Sequence, residues 1–267
     1  MARGDQLLTT DHLCKAFRRG ETTVEALRDI DISVADGEFV SIVGASGCGK
    51  STFLRLVDGL TKPTSGEARI GGQPVRGPGS DRAFVFQQDR MLPWRTIEQN
   101  VGVGLEMHKV DKAARKATVA PLLDLVGLRG FESSYPHELS GGMRQRANLA
   151  RALAVDPQVL LMDEPFASLD GQTREIMQAE LLRIWSERQK TVLFVTHQID
   201  EAVYLSDRVL VLTARPGRLK ADVHIDLPRP RGLAVKRSPV FGEYVDTIWS
   251  LIEEEVKQSL SYEARAL

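Results

Sequence analysis

An α/β fold built on a mainly parallel sheet is predicted by three observations. Apolar runs of strand length recur at Phe39-Val40-Ser41-Ile42-Val43, Val159-Leu160-Leu161-Met162 and Val192-Leu193-Phe194-Val195. They lack the alternation of a half-exposed strand and read as strands buried on both faces. Segments with apolar residues at helical spacing separate them, as at Phe53, Leu54, Leu56 and Val57, and strands alternating with helices give a parallel sheet covered on both sides. The 267 residues, 42% hydrophobic, suffice for one large domain with a smaller inserted lobe.

Taken in order, residues 7–43 are expected as short strands at Leu7-Leu8, 30–34 and 39–43, broken at Arg19-Gly20 and Asp36-Gly37. Glycine and proline are dense from Gly66 to Gly79, a hairpin-like stretch, and Ala83-Phe84-Val85-Phe86 is a buried-strand candidate. From Thr96 to about Val126 the pattern is helical, with Ala113, Ala114, Ala117, Val119, Leu122, Leu123 and Leu125. A second helix spans 140–155, stopped by Asp156-Pro157, and a third about 173–188. The helical block has no strand of its own, so residues 88–155 read as a lobe inserted in a domain spanning 6–228. In 229–267, Arg229, Arg231, Lys236 and Arg237 make a basic linker with Pro228, Pro230 and Pro239. Phe241, Val245, Ile248, Trp249, Ile252 and Val256 then mark an amphipathic helix, expected to pack on its own domain, with a partner or membrane surface as the alternative.

Chemistry enters at Gly44-Ala45-Ser46-Gly47-Cys48-Gly49-Lys50-Ser51, followed by Thr52, which fits G-x-x-x-x-G-K-[ST] between a strand and a helix. The expected core is therefore that of a P-loop NTPase. The glycines let backbone N–H groups turn toward phosphates, and the helix N-terminus adds its positive dipole end. Lys50 supplies a mobile charge and Ser51 a hydroxyl for Mg²⁺. Cys48, beside Lys50 and a helix start, is expected to lean toward thiolate, so that alkylation inactivates and MgATP protects.

Other strands end in the same kind of chemistry. The 159–162 run meets Asp163-Glu164-Pro165, and buried acids are costly without partners. Asp163 would hold Mg²⁺, and Glu164 would polarise or deprotonate the attacking water. His197 follows the 192–195 run, and Gln87 follows 83–86 with Gln88 beside it; spacing does not choose between the two glutamines. In an open parallel sheet these positions share the edge where ligands bind.

Leu139-Ser140-Gly141-Gly142-Met143-Arg144-Gln145-Arg146 precedes the acid pair, and Ser168-Leu169-Asp170 and His197 follow it. In this order of motifs the chain resembles the ATP-binding cassette (ABC) ATPases over about residues 6–226. The resemblance implies a nucleotide-binding core with a small antiparallel β subdomain and an inserted helical lobe. It puts Phe17 at the adenine-stacking position, Gln87 in the Q-loop, Asp163 and Glu164 in the Walker B pair, and His197 at the switch histidine. It further implies a head-to-tail dimer, in which Ser140, Gly141 and Gly142 of one copy close on ATP held by the other and Asp170 communicates between the sites. Met143 departs from the glutamine common in this signature. Residues 87–94, 196–202 and 215–218 resemble the nitrate/sulfonate/taurine branch of bacterial importers, with Trp94, Leu92 and Met91 as a groove for a permease helix or, alternatively, packed in the lobe.

The expected role is that of an importer's ATPase subunit, working on separate permease chains at the cytoplasmic face of the inner membrane, with a solute-binding protein delivering a small anion. The rival is a soluble ABC-type ATPase of DNA repair or chromosome maintenance. It is disfavoured because 35 basic and 36 acidic residues nearly cancel, giving no bulk case for nucleic acid, and no long heptad insertion is present. A non-catalytic scaffold is disfavoured by the full set of Lys50, Asp163, Glu164 and His197. Only Cys14 and Cys48 are present, which points to a reducing compartment; residues 1–5 show no apolar leader, and no run reaches membrane-spanning length.

Overall fold

A computed structural model describes residues 6–88 and 90–265, with backbone alone at 19 and 258–265. Residues 1–5, where no leader is expected, and Asp89 lie outside the described set. Two compact units form, one from the chain up to residue 79 together with that from 189 onward, the other from residues 80–188.

The first unit starts with β1 (Gln6–Arg19), β2 (Thr22–Ala35), β3 (Phe39–Gly44), α1 (Lys50–Asp58), β4 (Ser65–Ile70) and β5 (Gln73–Pro74). Strands β2-β1-β4-β5 form an antiparallel sheet in that order. β1 and β2 are 14 residues each, longer than the short strands expected. Their register shifts repeatedly, for example between Thr10 and Leu13, and each bulge breaks the alternation that a sequence pattern relies on. Thr10 is buried yet satisfied: its hydroxyl donates to Ile30 O at 2.7 Å and accepts from Ile32 N–H at 3.1 Å.

The second unit contains β6 (Arg82–Val85), α2 (Ile97–Val101), α3 (Val103–Met107), α4 (Lys112–Leu125), α5 (Gly141–Ala154), β7 (Val159–Asp163) and α6 (Gly171–Arg188). β6 and β7 pair in parallel, from Arg82 opposite Val159 to Val85 opposite Met162. The single helix expected from 96 to 126 is three. Gly102 ends α2, and Asp111 starts α4 afresh by accepting from the N–H groups of Ala113 and Ala114, both at 3.0 Å.

The chain then returns to the first unit with β8 (Thr191–Val195), α7 (Ile199–Leu205), β9 (Arg208–Leu212), β10 (Leu219–His224) and α8 (Pro239–Arg265). β3 is buried along its whole length and runs parallel to β8 on one side and β9 on the other, while β10 is antiparallel to β9. α8 packs on α7, β9 and β10, burying Phe241, Ile248 and Ile252. Trp249, placed in the same stripe from sequence, is 48% exposed, because it follows Ile248 by one residue and so faces some 100° away.

The segment expected as a basic linker is partly interior. Arg231 is buried and donates to the carbonyls of Val203 (3.2 Å), Tyr204 (3.1 Å) and Ser206 (2.7 Å) at the end of α7, and to Ile225 and Leu227. Arg229 pairs with Asp207 at 2.8 Å. Among the described residues no helix is long and apolar enough to cross a membrane.

Candidate nucleotide-binding and hydrolysis site

The phosphate loop lies between β3 and α1, as its sequence requires. Lys50 is only 7% exposed, and its ammonium donates to Gly44 O at 2.8 Å and Ala45 O at 3.1 Å, which holds the charge inside the loop. Gly49 caps α1 at φ 107°, and a Cβ there would meet Leu27 Cδ2 at 2.7 Å and Ala26 O at 2.9 Å, so no other residue fits. No acidic side chain occupies the first turn of α1, so its dipole end keeps its positive character. Ala45 is buried, Ser46 and Gly47 are exposed, and Ser51 and Thr52 are half-buried on the first turn.

In the parallel ladder Ile42 stands opposite Val195. Gly44 and His197 each lie two residues further on, at the same edge of the first unit's sheet. His197 is exposed there, and its neighbours build the turn: Thr196 Oγ1 bonds Glu201 and accepts from Gln198 N–H at 3.0 Å. Phe17, on β1, is 44% exposed, with Lys15 Nζ 5.0 Å from its ring centroid.

In the second unit, Asp163 ends β7 at 7% exposure. Glu164 follows, half-buried, at φ 45°. A left-handed glutamate costs on the order of 1 kcal/mol or more and is characteristic of sites where side-chain direction matters. Gln87 lies two residues beyond Val85, as Glu164 lies two beyond Met162, so both reach one edge of the β6–β7 pair. Gln87 and Gln88 are both exposed. Ser140 caps α5, accepting from Met143 N–H at 3.3 Å, and Gly142 leaves room for Thr173, whose Cγ2 would stand 3.0 Å from a Cβ. Asp170, exposed, has a role that spacing did not suggest: it accepts from Thr173 N–H at 3.0 Å at the start of α6, and that bond lowers its pKa.

Trp94 is 71% exposed, which excludes its packing in the lobe, but Met91 is buried at 9% and so is removed from the surface expected with it. The loop is held by Asn100, which accepts from Leu92 N–H at 2.8 Å and donates to the carbonyls of Leu92, Arg95 and Thr96.

Cys48 also departs from expectation. It is 0% exposed, and burial pushes its thiol up, outweighing the opposing charge of Lys50. Iodoacetamide is therefore expected to spare Cys48 in the folded chain, with or without MgATP, and to modify it in urea. Peptide mass spectrometry showing fast native modification contradicts this placement.

A strand-borne phosphate loop and a paired strand ending in two carboxylates define a nucleoside-triphosphate-binding α/β protein. A family model described as ABC transporter matches residues 27–167. The chain belongs to that family. An uncharacterized ABC transporter ATP-binding protein of Methanocaldococcus jannaschii is 51% identical over 253 residues, covering 95% of this chain and 94% of its own. A nitrate import ATP-binding protein of Synechocystis sp. is 48% identical over 246 residues, 90% and 92% of the two chains. A solved dimeric structure of an ATP-binding cassette in a post-hydrolysis state, bound to ADP and Pi, matches with a TM-score of 0.72 at 32% identity, covering 85% of this chain and all of that one. The chain is an ATP-hydrolysing cassette.

Proposed function

We propose that this chain powers a bacterial importer of a small anion, such as nitrate, an alkanesulfonate or taurine, through separate permease chains. The observation that carries the reading is the phosphate loop at the end of β3, with the Lys50 ammonium drawn into it. Similarity to a nitrate import protein supports the solute class. In this reading residues 6–228 are the ATPase domain, with the lobe at about 88–155, and 229–267 are a basic linker and C-terminal amphipathic helix. The working unit is a head-to-tail pair, where Ser140, Gly141 and Gly142 of one copy close on ATP held by Gly44 to Thr52 of the other. Phe17 stacks on the base, a half-exposed aromatic face being suited to it.

The attacking water gives its proton to Glu164 as it bonds to the γ-phosphorus, the bond from that phosphorus to the β–γ bridging oxygen breaks so that ADP and phosphate leave, and His197 orients the water from the strand edge. Ser51, Gln87 and Asp163 offer a hydroxyl, an amide oxygen and a carboxylate, the hard oxygen donors that suit Mg²⁺, which when bound neutralises phosphate charge. The chain sits peripherally at the cytoplasmic face of the inner membrane through its permease, takes solute from a binding protein, and uses no nucleic acid. Trp94, exposed on a loop that Asn100 holds rigid, is the anchor for the permease.

Transport and pull-down assays with the permease chains test the reading. Trp94→Ala is expected to reduce uptake and co-purification while the isolated subunit still binds ATP. Full uptake by the mutant removes Trp94 from the docking surface. A wild-type chain that neither binds permease nor hydrolyses ATP removes the importer reading itself.

A further inference from the structure

The loop joining β9 to β10 lies against the phosphate loop. Gly217 N–H donates to Ala26 O at 2.9 Å and its carbonyl accepts from Arg28 N–H at 3.0 Å, tying the loop to β2. A Cβ at Gly217 would stand 2.1 Å from Cys48 O, so this strap touches the phosphate-loop main chain itself. Arg215 adds a second hold: its Nε and Nη2 donate to Gly47 O at 3.3 and 3.2 Å. Because the peptide is planar and trans, fixing Gly47 O toward Arg215 aims Cys48 N–H the opposite way, where it donates to Ala45 O at 3.3 Å.

The strap is held in turn by the C-terminal helix. Glu255 of α8, 8% exposed, accepts from Ala214 N–H at 2.6 Å and from Lys220 Nζ at 2.8 Å. A carboxylate so far out of water is costly unless matched, and here its two oxygens are matched by one backbone N–H and one ammonium. Thr213 closes the strap, its hydroxyl donating to Pro216 O and accepting from Arg218 N–H, both at 3.0 Å. The Glu255 charge also reaches the phosphate loop, adding to the burial that raises the Cys48 thiol.

We propose that Glu255 is a positioning residue for the phosphate loop, acting through Ala214 and Arg215, so that the C-terminal helix sets this chain's affinity for ATP. This rests on the reading of residues 44–52 as the ATP-binding loop. Arg215 is exposed and its removal leaves the core intact, whereas Glu255 of α8 reaches Ala214, 41 residues earlier in sequence.

The test is the kinetics of ATP hydrolysis by the full-length chain. Arg215→Ala is expected to raise the KM for MgATP about three- to tenfold, the net worth of an ordinary hydrogen bond, with kcat within about twofold. Arg215→Lys recovers part of the loss, since an ammonium can still donate to Gly47 O. Glu255→Gln raises KM by a smaller factor. In the Arg215→Ala background it adds nothing further, because both changes act on one strap. If Glu255→Gln does not fold, Glu255→Asp takes its place with the same expectation. An unchanged KM in Arg215→Ala, or effects of the two changes that multiply, overturns the proposal. A wild-type chain that binds no ATP overturns the underlying reading as well.

Discussion

Glu164→Gln lowers the steady-state ATPase rate by about 10²- to 10⁴-fold, the usual contribution of a positioned general base, while ATP binding persists. Glutamine preserves the size and polarity of the side chain but cannot take a proton from water at neutral pH. Its backbone meets the same left-handed φ of 45° as the glutamate, so geometry at the end of β7 is kept and only the chemistry is removed. Binding without turnover leaves the two copies closed on ATP, and size-exclusion chromatography with MgATP is expected to show a dimer that the wild type forms only transiently. Hydrolysis within a few-fold of the wild-type rate excludes Glu164 as the base. Lys50→Ala separates the two roles: it weakens ATP binding itself, because it removes the ammonium that Gly44 O and Ala45 O hold in the loop.

Arg231→Ala destabilises the fold by about 3–5 kcal/mol, the range for breaking a buried charged network. The last carbonyls of a helix have no partner within it, and α7 ends with Val203 O and Tyr204 O turned to the Arg231 guanidinium. The same side chain serves Ser206, Ile225 and Leu227, and Tyr204 Oη donates back to Arg231 O at 3.1 Å. Alanine would leave these carbonyls buried and unpaired. Burial and the neighbouring Arg229 lower the guanidinium pKa to about 10, so the charge is fully present at neutral pH and its bonds are charge-assisted. Thermal unfolding is expected to fall by about 10 °C, with Arg231→Lys between the two. A melting temperature within about 2 °C of the wild type shows that water replaces the arginine.

What the sequence made legible were features carried by local pattern. The runs 39–43, 159–162 and 192–195 are continuous because strands covered on both faces have no polar side to show, and each is a strand. The phosphate loop was legible because its backbone needs glycine at Gly49, where nothing larger fits. The rest depended on contacts remote in sequence. β1 was read too short because bulges interrupt its alternation. The basic run after Pro228 looked solvated, yet Arg231 finds its partners some 25 residues earlier, on α7. Cys48 was misjudged because position beside Lys50 is visible in sequence, whereas the burial that outweighs it comes from the fold. Arg215 carried a family likeness without a role, since its acceptor, Gly47 O, is 168 residues away.

The order of synthesis gives the buried β3 strand a particular history. Its ladder partners, β8 and β9, are encoded roughly 150 residues or more downstream. At about 5–20 residues per second a ribosome needs on the order of ten seconds or more to deliver them. Through that interval Phe39, Val40, Ile42 and Val43 have neither neighbour to pair with, whereas the strand pair β6–β7 comes from one uninterrupted stretch of chain. Early translation products are thus expected to be the aggregation-prone ones, and a holdase that shields residues 39–43 should matter more for yield than any agent acting on the finished protein.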